Sequence, residues 1–110
     1  MAYDQDLANR VREQLVEEDA VTEMEMFGGI AFLLSGNMAV GVTRDELMVR
    51  VGKDESEDAL AQPHTREFDM AARPMRNWVL VAPAGVKTDA QLGEWVGRGV
   101  AFARSLPPKG

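Results

Sequence analysis

The sequence predicts an α+β fold of two layers, with elements in the order α-β-β-β-α-β-β-α and an antiparallel sheet that carries helices on one face. Three observations lead there. Apolar residues repeat at helical spacing near both ends, as Leu7, Val11 and Leu15 and again from Leu92 to Leu106. Between them lie short runs rich in branched apolar residues, such as Ile30 to Leu34 and Trp78 to Val81. Turn residues separate the first of these runs at hairpin spacing, so consecutive strands fold back on one another.

Each element has its own local reason. Asp4 is an N-cap for a first helix that runs to about Glu18, and Asp6 supports it from four residues before Arg10. Val21 to Met26 leads into the sheet. Ile30 to Leu34 and Met38 to Val42 read as two strands joined through Ser35, Gly36 and Asn37. A polar break at Thr43 to Glu46 precedes a third strand, Leu47 to Val51, which sets Leu47, Val49 and Val51 on one side and closes at Gly52. Asp54 and Glu57 fit a capping box for a brief helix through Ala61 or Gln62, stopped by Pro63. Glu67 to Met70 and Trp78 to Val81 are the last two strands, the second bounded by Asn77 and by Pro83 to Gly85. Thr88 and Gln91 cap the final helix, whose Leu92, Trp95, Val96, Gly99, Val100, Ala103 and Leu106 form an apolar stripe that ends before Pro107.

At 110 residues the chain fits one domain, residues 1–110, because two cores would each approach the size at which burial barely offsets conformational entropy. The 12 basic and 18 acidic residues give a net charge of −6, which repels a phosphate backbone and argues against direct nucleic-acid binding. There are no cysteines, which excludes disulfides, thiolate zinc sites and cysteine nucleophiles. The N-terminus has no apolar core of a signal peptide, and the longest apolar run is too short for a bilayer, so a cytoplasmic location and no membrane contact are expected.

Few residues invite a chemical assignment. The pair Gly28 and Gly29 lacks the downstream Gly-Lys-Ser/Thr of a phosphate loop, so it reads as a tight bend that turns Phe27 inward. His64, the only histidine, has no second histidine or cysteine with which to share a metal and is expected on the surface. Arg50, Arg66, Arg73 and Arg76 are the candidate anion site, if the segment before Trp78 folds over the third strand. Most of the methionines, Met24, Met38 and Met48 among them, are expected to fill the core. Gly99, centred on the apolar stripe of the last helix, is expected to let that helix approach the sheet closely. The strand residues of opposite phase, Ala31, Leu33, Ala39, Gly41 and Met48, are small and apolar, whereas solvated sheet faces carry polar residues. They form the candidate interface, and a second copy of the chain is its simplest cover.

Five segments in order, MFGGIAF, NMAVGV, LMVRVG, RPMRNWV and WVGRGVAFARSLPP, resemble the N-terminal domain of the TfoX/Sxy family, the regulators of natural competence. The likeness extends from the first helix to Pro108. It implies a fold similar to secretion chaperones and marks Phe27, Gly28, Gly29, Trp78 and Trp95 as motif positions of structural purpose. The family's regulators carry a further C-terminal domain resembling helix-hairpin-helix modules, and a chain ending at Gly110 is expected to be the stand-alone N-terminal domain. The resulting expectation is a non-enzymatic protein-interaction domain, accessory to transcription regulation, with no catalytic residue, cofactor or metal and with an unidentified protein partner. The alternative is a small domain that binds an anionic ligand, or acts on one, through the four arginines.

Overall fold

The computed structural model describes residues 3–26, 28–70 and 73–108; the side chains of Met26, Asp69, Met70 and residues 73–76 lie outside the description, as does Phe27 entirely. The elements are α1 (Gln5–Gln14), β1 (Val21–Met26), β2 (Gly29–Leu34), β3 (Asn37–Thr43), β4 (Glu46–Arg50), α2 (Ser56–Leu60), β5 (Thr65–Met70), β6 (Arg73–Val81), a single 3-10 turn (Pro83–Gly85) and α3 (Asp89–Arg104). The six strands make one antiparallel sheet in the order β1-β2-β3-β4-β6-β5.

The capping predictions divide. Asp4 Oδ1 accepts from the Leu7 amide at 3.1 Å, and Thr88 and Gln91 form a reciprocal capping box with bonds of 3.0 and 3.1 Å, so two of the four orphan donors at that helix start are satisfied. The box expected at Asp54 and Glu57 is absent, because the N-cap is Glu55 and makes no side-chain cap bond. Instead the Thr65 hydroxyl lies within hydrogen-bond reach of the carbonyls of Ala59, Leu60 and Gln62, the nearest at 2.8 Å, and closes the far end of α2. Helix α1 stops at Gln14 rather than near Glu18. The carboxylates of Glu17, Glu18 and Asp19 would have stood at its C-terminus, where the helix dipole disfavours negative charge.

The strands are longer than their apolar runs. Val21–Met26, expected only as a lead-in, pairs along its whole length with β2 and forms an edge of the sheet. The β2–β3 hairpin turns on Ser35 and Gly36 alone, both at positive φ (50° and 82°), the condition a two-residue loop sets at its central positions. Asn37 therefore belongs to β3, where it is 2% exposed and its amide donates to the Pro107 carbonyl at 2.9 Å, fixing the chain beyond α3. In the β5–β6 pair the register jumps from Glu67–Val79 to Phe68–Met75, so residues 76–78 are extra and bend the hairpin.

One face of the sheet supplies Ile30, Phe32, Val40, Val42, Leu47, Val49, Val51, Val79 and Val81 to a core that Leu7, Val11, Ala59, Leu92, Trp95 and Val96 cover from the three helices. Helix α3 lies closest. A Cβ on Gly99 would stand 2.5 Å from the Ala39 carbonyl oxygen and 2.7 Å from Val40 Cγ1, so only glycine lets the helix settle at this depth.

Candidate functional site

Alternation sends the remaining strand side chains to a face on which, among the described residues, no helix packs. One row crosses the whole sheet as Met24, Ala31, Gly41, Met48, Leu80 and Arg66. Of the five residues expected to form an interface, Ala31 (0%), Gly41 and Met48 (5%) are buried within the single chain and Leu33 is half-buried. The Met48 methyl fills the place over Gly41, 2.6 Å from where a Cβ would be.

Ala39 leaves that set. The register steps from Phe32–Val40 to Leu33–Met38, which makes Ala39 the extra residue of a β-bulge and turns it to the helix side, where it packs with Leu34 and Ala103. Strict alternation cannot foresee a bulge, and this one has no glycine to mark it. The methionines divide as well: Met48 is buried, Met38 half-buried, and Met24, expected in the core, is 49% exposed on the edge strand.

Of the four arginines, the two with described side chains, Arg50 and Arg66, have different partners. Arg66 makes a two-pronged pair with Glu46 at 2.6 and 3.1 Å on an exposed part of the surface. The Arg50 guanidinium carbon lies 5.2 Å from the Phe102 ring centroid and 6.0 Å from that of Trp78, and one terminal nitrogen reaches the Met38 carbonyl at 3.4 Å. Its Nε is buried with no hydrogen-bond acceptor among the described residues. The side chains of Arg73 and Arg76 lie outside the description.

At the motif positions, Gly28 takes φ 73°, and a Cβ on Gly29 would stand 2.3 Å from the Val42 carbonyl oxygen. One glycine makes the bend and the next clears the neighbouring strand, which gives the pair an architectural reason. Phe27 itself lies outside the described residues. Trp95 is 8% exposed in the core, with the Arg98 guanidinium 5.0 Å over its ring. Trp78 is half-buried and meets Phe68 edge to face at 6.3 Å. His64 is exposed, at φ 68°, on the rim of a 150 Å³ pocket shared with Glu94, Trp95 and Arg98.

A feature the sequence reading passed over lies at the other end of the molecule, where the end of α1 meets β1. Residues 13–25 contain six carboxylates and no base. Glu23 receives Arg12 in a two-pronged pair, both contacts at 2.8 Å, and this bond holds the Glu23 carboxyl below the ordinary carboxylate range and raises the Arg12 guanidinium. Glu18 pairs with Arg104 at 3.1 Å. Beside them an open groove of about 460 Å³ has Leu15, Val21 and Phe32 among its lining and Val16, 79% exposed, on its border. The charge run was the available signal, and only the topology shows that it flanks a sheet edge.

An antiparallel sheet with, among the described residues, three helices on one face and none on the other defines a two-layer α+β domain. The family model for the TfoX N-terminal domain matches residues 13–103, and the chain belongs to that family. Comparison with curated proteins and with solved structures found no match. No described helix is long and apolar enough to cross a membrane.

Proposed function

We propose that this chain is a non-enzymatic protein-interaction domain working in the cytoplasm as an accessory of transcription regulation, similar to the competence regulators of its family. The observation that carries the reading is the sheet face on which no described helix packs, along which Leu33, Met38, Phe68 and Trp78 are half-buried and Met24 half-exposed. Apolar side chains left at that level of exposure in a small domain suit a partner surface better than a solvated one. Family membership supports the regulatory part.

The test is affinity capture of the tagged chain from nuclease-treated host lysate, with mass spectrometry of what stays bound, repeated with Leu33→Glu. A stoichiometric protein lost from the variant supports the reading; recovery of the bait alone, or capture unaffected by the substitution, counts against this face. A second copy of the chain is the other occupant to test, by sedimentation equilibrium of wild type against Leu33→Glu.

A second reading, a small anion bound at Arg50, draws on the buried Nε that has no acceptor among the described residues, since an unpaired charged donor is costly in the interior. Phosphate or citrate that raises the melting temperature of wild type but not of Arg50→Met supports it. Equal shifts in both proteins exclude it.

A further inference from the structure

We infer that the free edge of β1, with the acidic groove beside it, is a docking site for a basic, extended segment of a partner protein. The inference rests on the protein-interaction reading and moves the contact from the bare face to the edge. Strand β1 pairs only with β2 and ends the sheet, so one side of its backbone offers N–H and C=O groups to an added strand. Residues Thr22, Glu23, Met24 and Glu25 are all exposed, and no described helix covers them.

Charge selects the occupant. Of the six carboxylates in residues 13–25, Glu18 and Glu23 are paired with Arg104 and Arg12, while Glu13, Glu17, Asp19 and Glu25 form no ion pair with any described residue and are exposed. The alternation of β1 places Val21, Glu23 and Glu25 toward the helix side and Thr22 and Met24 toward the bare side. An added strand alternates in the same way, so its helix-side positions face Glu23 and Glu25 and its bare-side positions face Met24. A segment with Lys or Arg at every second position and apolar residues between them satisfies both sides.

The same pattern disfavours a second copy at this edge. A two-fold axis that continues the sheet with its helix side preserved pairs residues of equal parity. The two such registers with greatest overlap place Glu23 opposite Glu23, or Glu23 opposite Glu25, of the second copy, and directly opposed like charges are destabilising. Arg12 offsets part of the charge at Glu23, but Glu25 has no such partner among the described residues, so the edge favours a strand of opposite charge over a second copy, and the exposed Val16 and the groove next to it add an apolar seat.

The experiment uses the full chain and three synthetic peptides: Lys-Val-Lys-Val-Arg-Val, its glutamate counterpart, and a basic peptide of matched charge with proline in place of valine. Fluorescence anisotropy is expected to show saturable binding of the first alone, weakening as salt is raised from about 0.05 M to about 0.5 M. The double variant Glu17→Lys, Glu25→Lys, in which both carboxylates are exposed and unpaired, is expected to fold normally and to bind about tenfold more weakly. The inference is overturned by no saturation below about 1 mM peptide, by equal binding of the proline peptide, by unchanged affinity in the double variant, or by a dimer in wild type that the double variant abolishes. If a lysate partner is captured equally by wild type and the double variant, the protein-interaction reading stands and the edge assignment fails. A capture lost only in Leu33→Glu returns the contact to the bare face.

Discussion

The contact of α3 with β3 and that of α1 with β1 lay a helix beside a strand by opposite means. At the first, backbone meets backbone: Gly99 leaves no room for a methyl group above the Ala39 carbonyl, and the surrounding Leu34, Val40, Val96 and Ala103 are buried. At the second, the helix is tied to the strand by the Arg12–Glu23 ion pair, with an open groove alongside and Val16 left 79% exposed. The difference separates a region shaped to hold the fold from a region whose apolar and acidic surface remains available. Substitutions should then divide by depth: those of buried residues, Gly99 at the first contact and Phe32 beneath the second, act on stability, and those of the exposed carboxylates at the second act mainly on binding.

The largest effect belongs to Phe32 on β2, whose side chain is fully buried in the core at the floor of the groove. Phe32→Ala is expected to lower unfolding free energy by about 3–5 kcal/mol in chemical denaturation, through lost transfer energy and the cavity left behind. Gly99→Val comes next, at about 1–3 kcal/mol, since the added atoms meet a carbonyl oxygen that cannot move independently of β3. A Gly99→Val protein as stable as wild type would show that α3 can lift off the sheet without cost and that this contact does not hold the fold.

Gly97, on the exposed side of α3 away from the sheet-facing stripe, works in the other direction. A Cβ there meets nothing within 4 Å, so Gly97→Ala is expected to raise stability by about 0.5–1 kcal/mol through helix propensity alone, read as a higher melting temperature. Two glycines two positions apart in one helix thus carry opposite signs.

The smallest effect is at the ion pair. Glu23→Gln is expected to cost about 0.2–1 kcal/mol at neutral pH and low salt, because both partners are more than a third exposed. Since the Arg12 bond holds the folded-state value of Glu23 below its unfolded one, this contribution is fully present above the ordinary carboxylate range and is lost as pH falls through the folded-state value. Melting temperatures of wild type and Glu23→Gln should converge on acidification and also in high salt. A gap that persists in strong acid would mean that Glu23 acts through packing.

What was legible in the sequence follows the same division. The stripe of α3, its capping box and the core phase of β2, β3 and β4 are set by local periodicity and cap chemistry, and the sequence shows them directly. The tight seat of Gly99 was also readable, because a glycine centred on an apolar helical stripe has little other purpose. Strand β1 was not recognised as a strand: Thr22, Glu23 and Glu25 are polar, and its strand state comes from pairing with β2 rather than from its own composition. Ala39 was assigned to the wrong face because a bulge resets the alternation in mid-strand. The arginine site depended on the segment before Trp78 folding over the third strand; β6 lies between β4 and β5 and Arg66 pairs with Glu46, while the side chains of Arg73 and Arg76 lie outside the description. The acidic edge needed topology, since a run of carboxylates acquires a docking role only when it borders an unpaired strand.

The most direct test of that role is amide hydrogen exchange across the chain, measured with and without saturating Lys-Val-Lys-Val-Arg-Val. An added strand hydrogen-bonds the outward amides of β1, so exchange should slow at alternate positions within Val21–Met26 and remain unchanged on β5, the opposite edge of the sheet. Slowing confined to β5 or to the central strands β3 and β4, or no slowing at any amide while the peptide is bound, would contradict it.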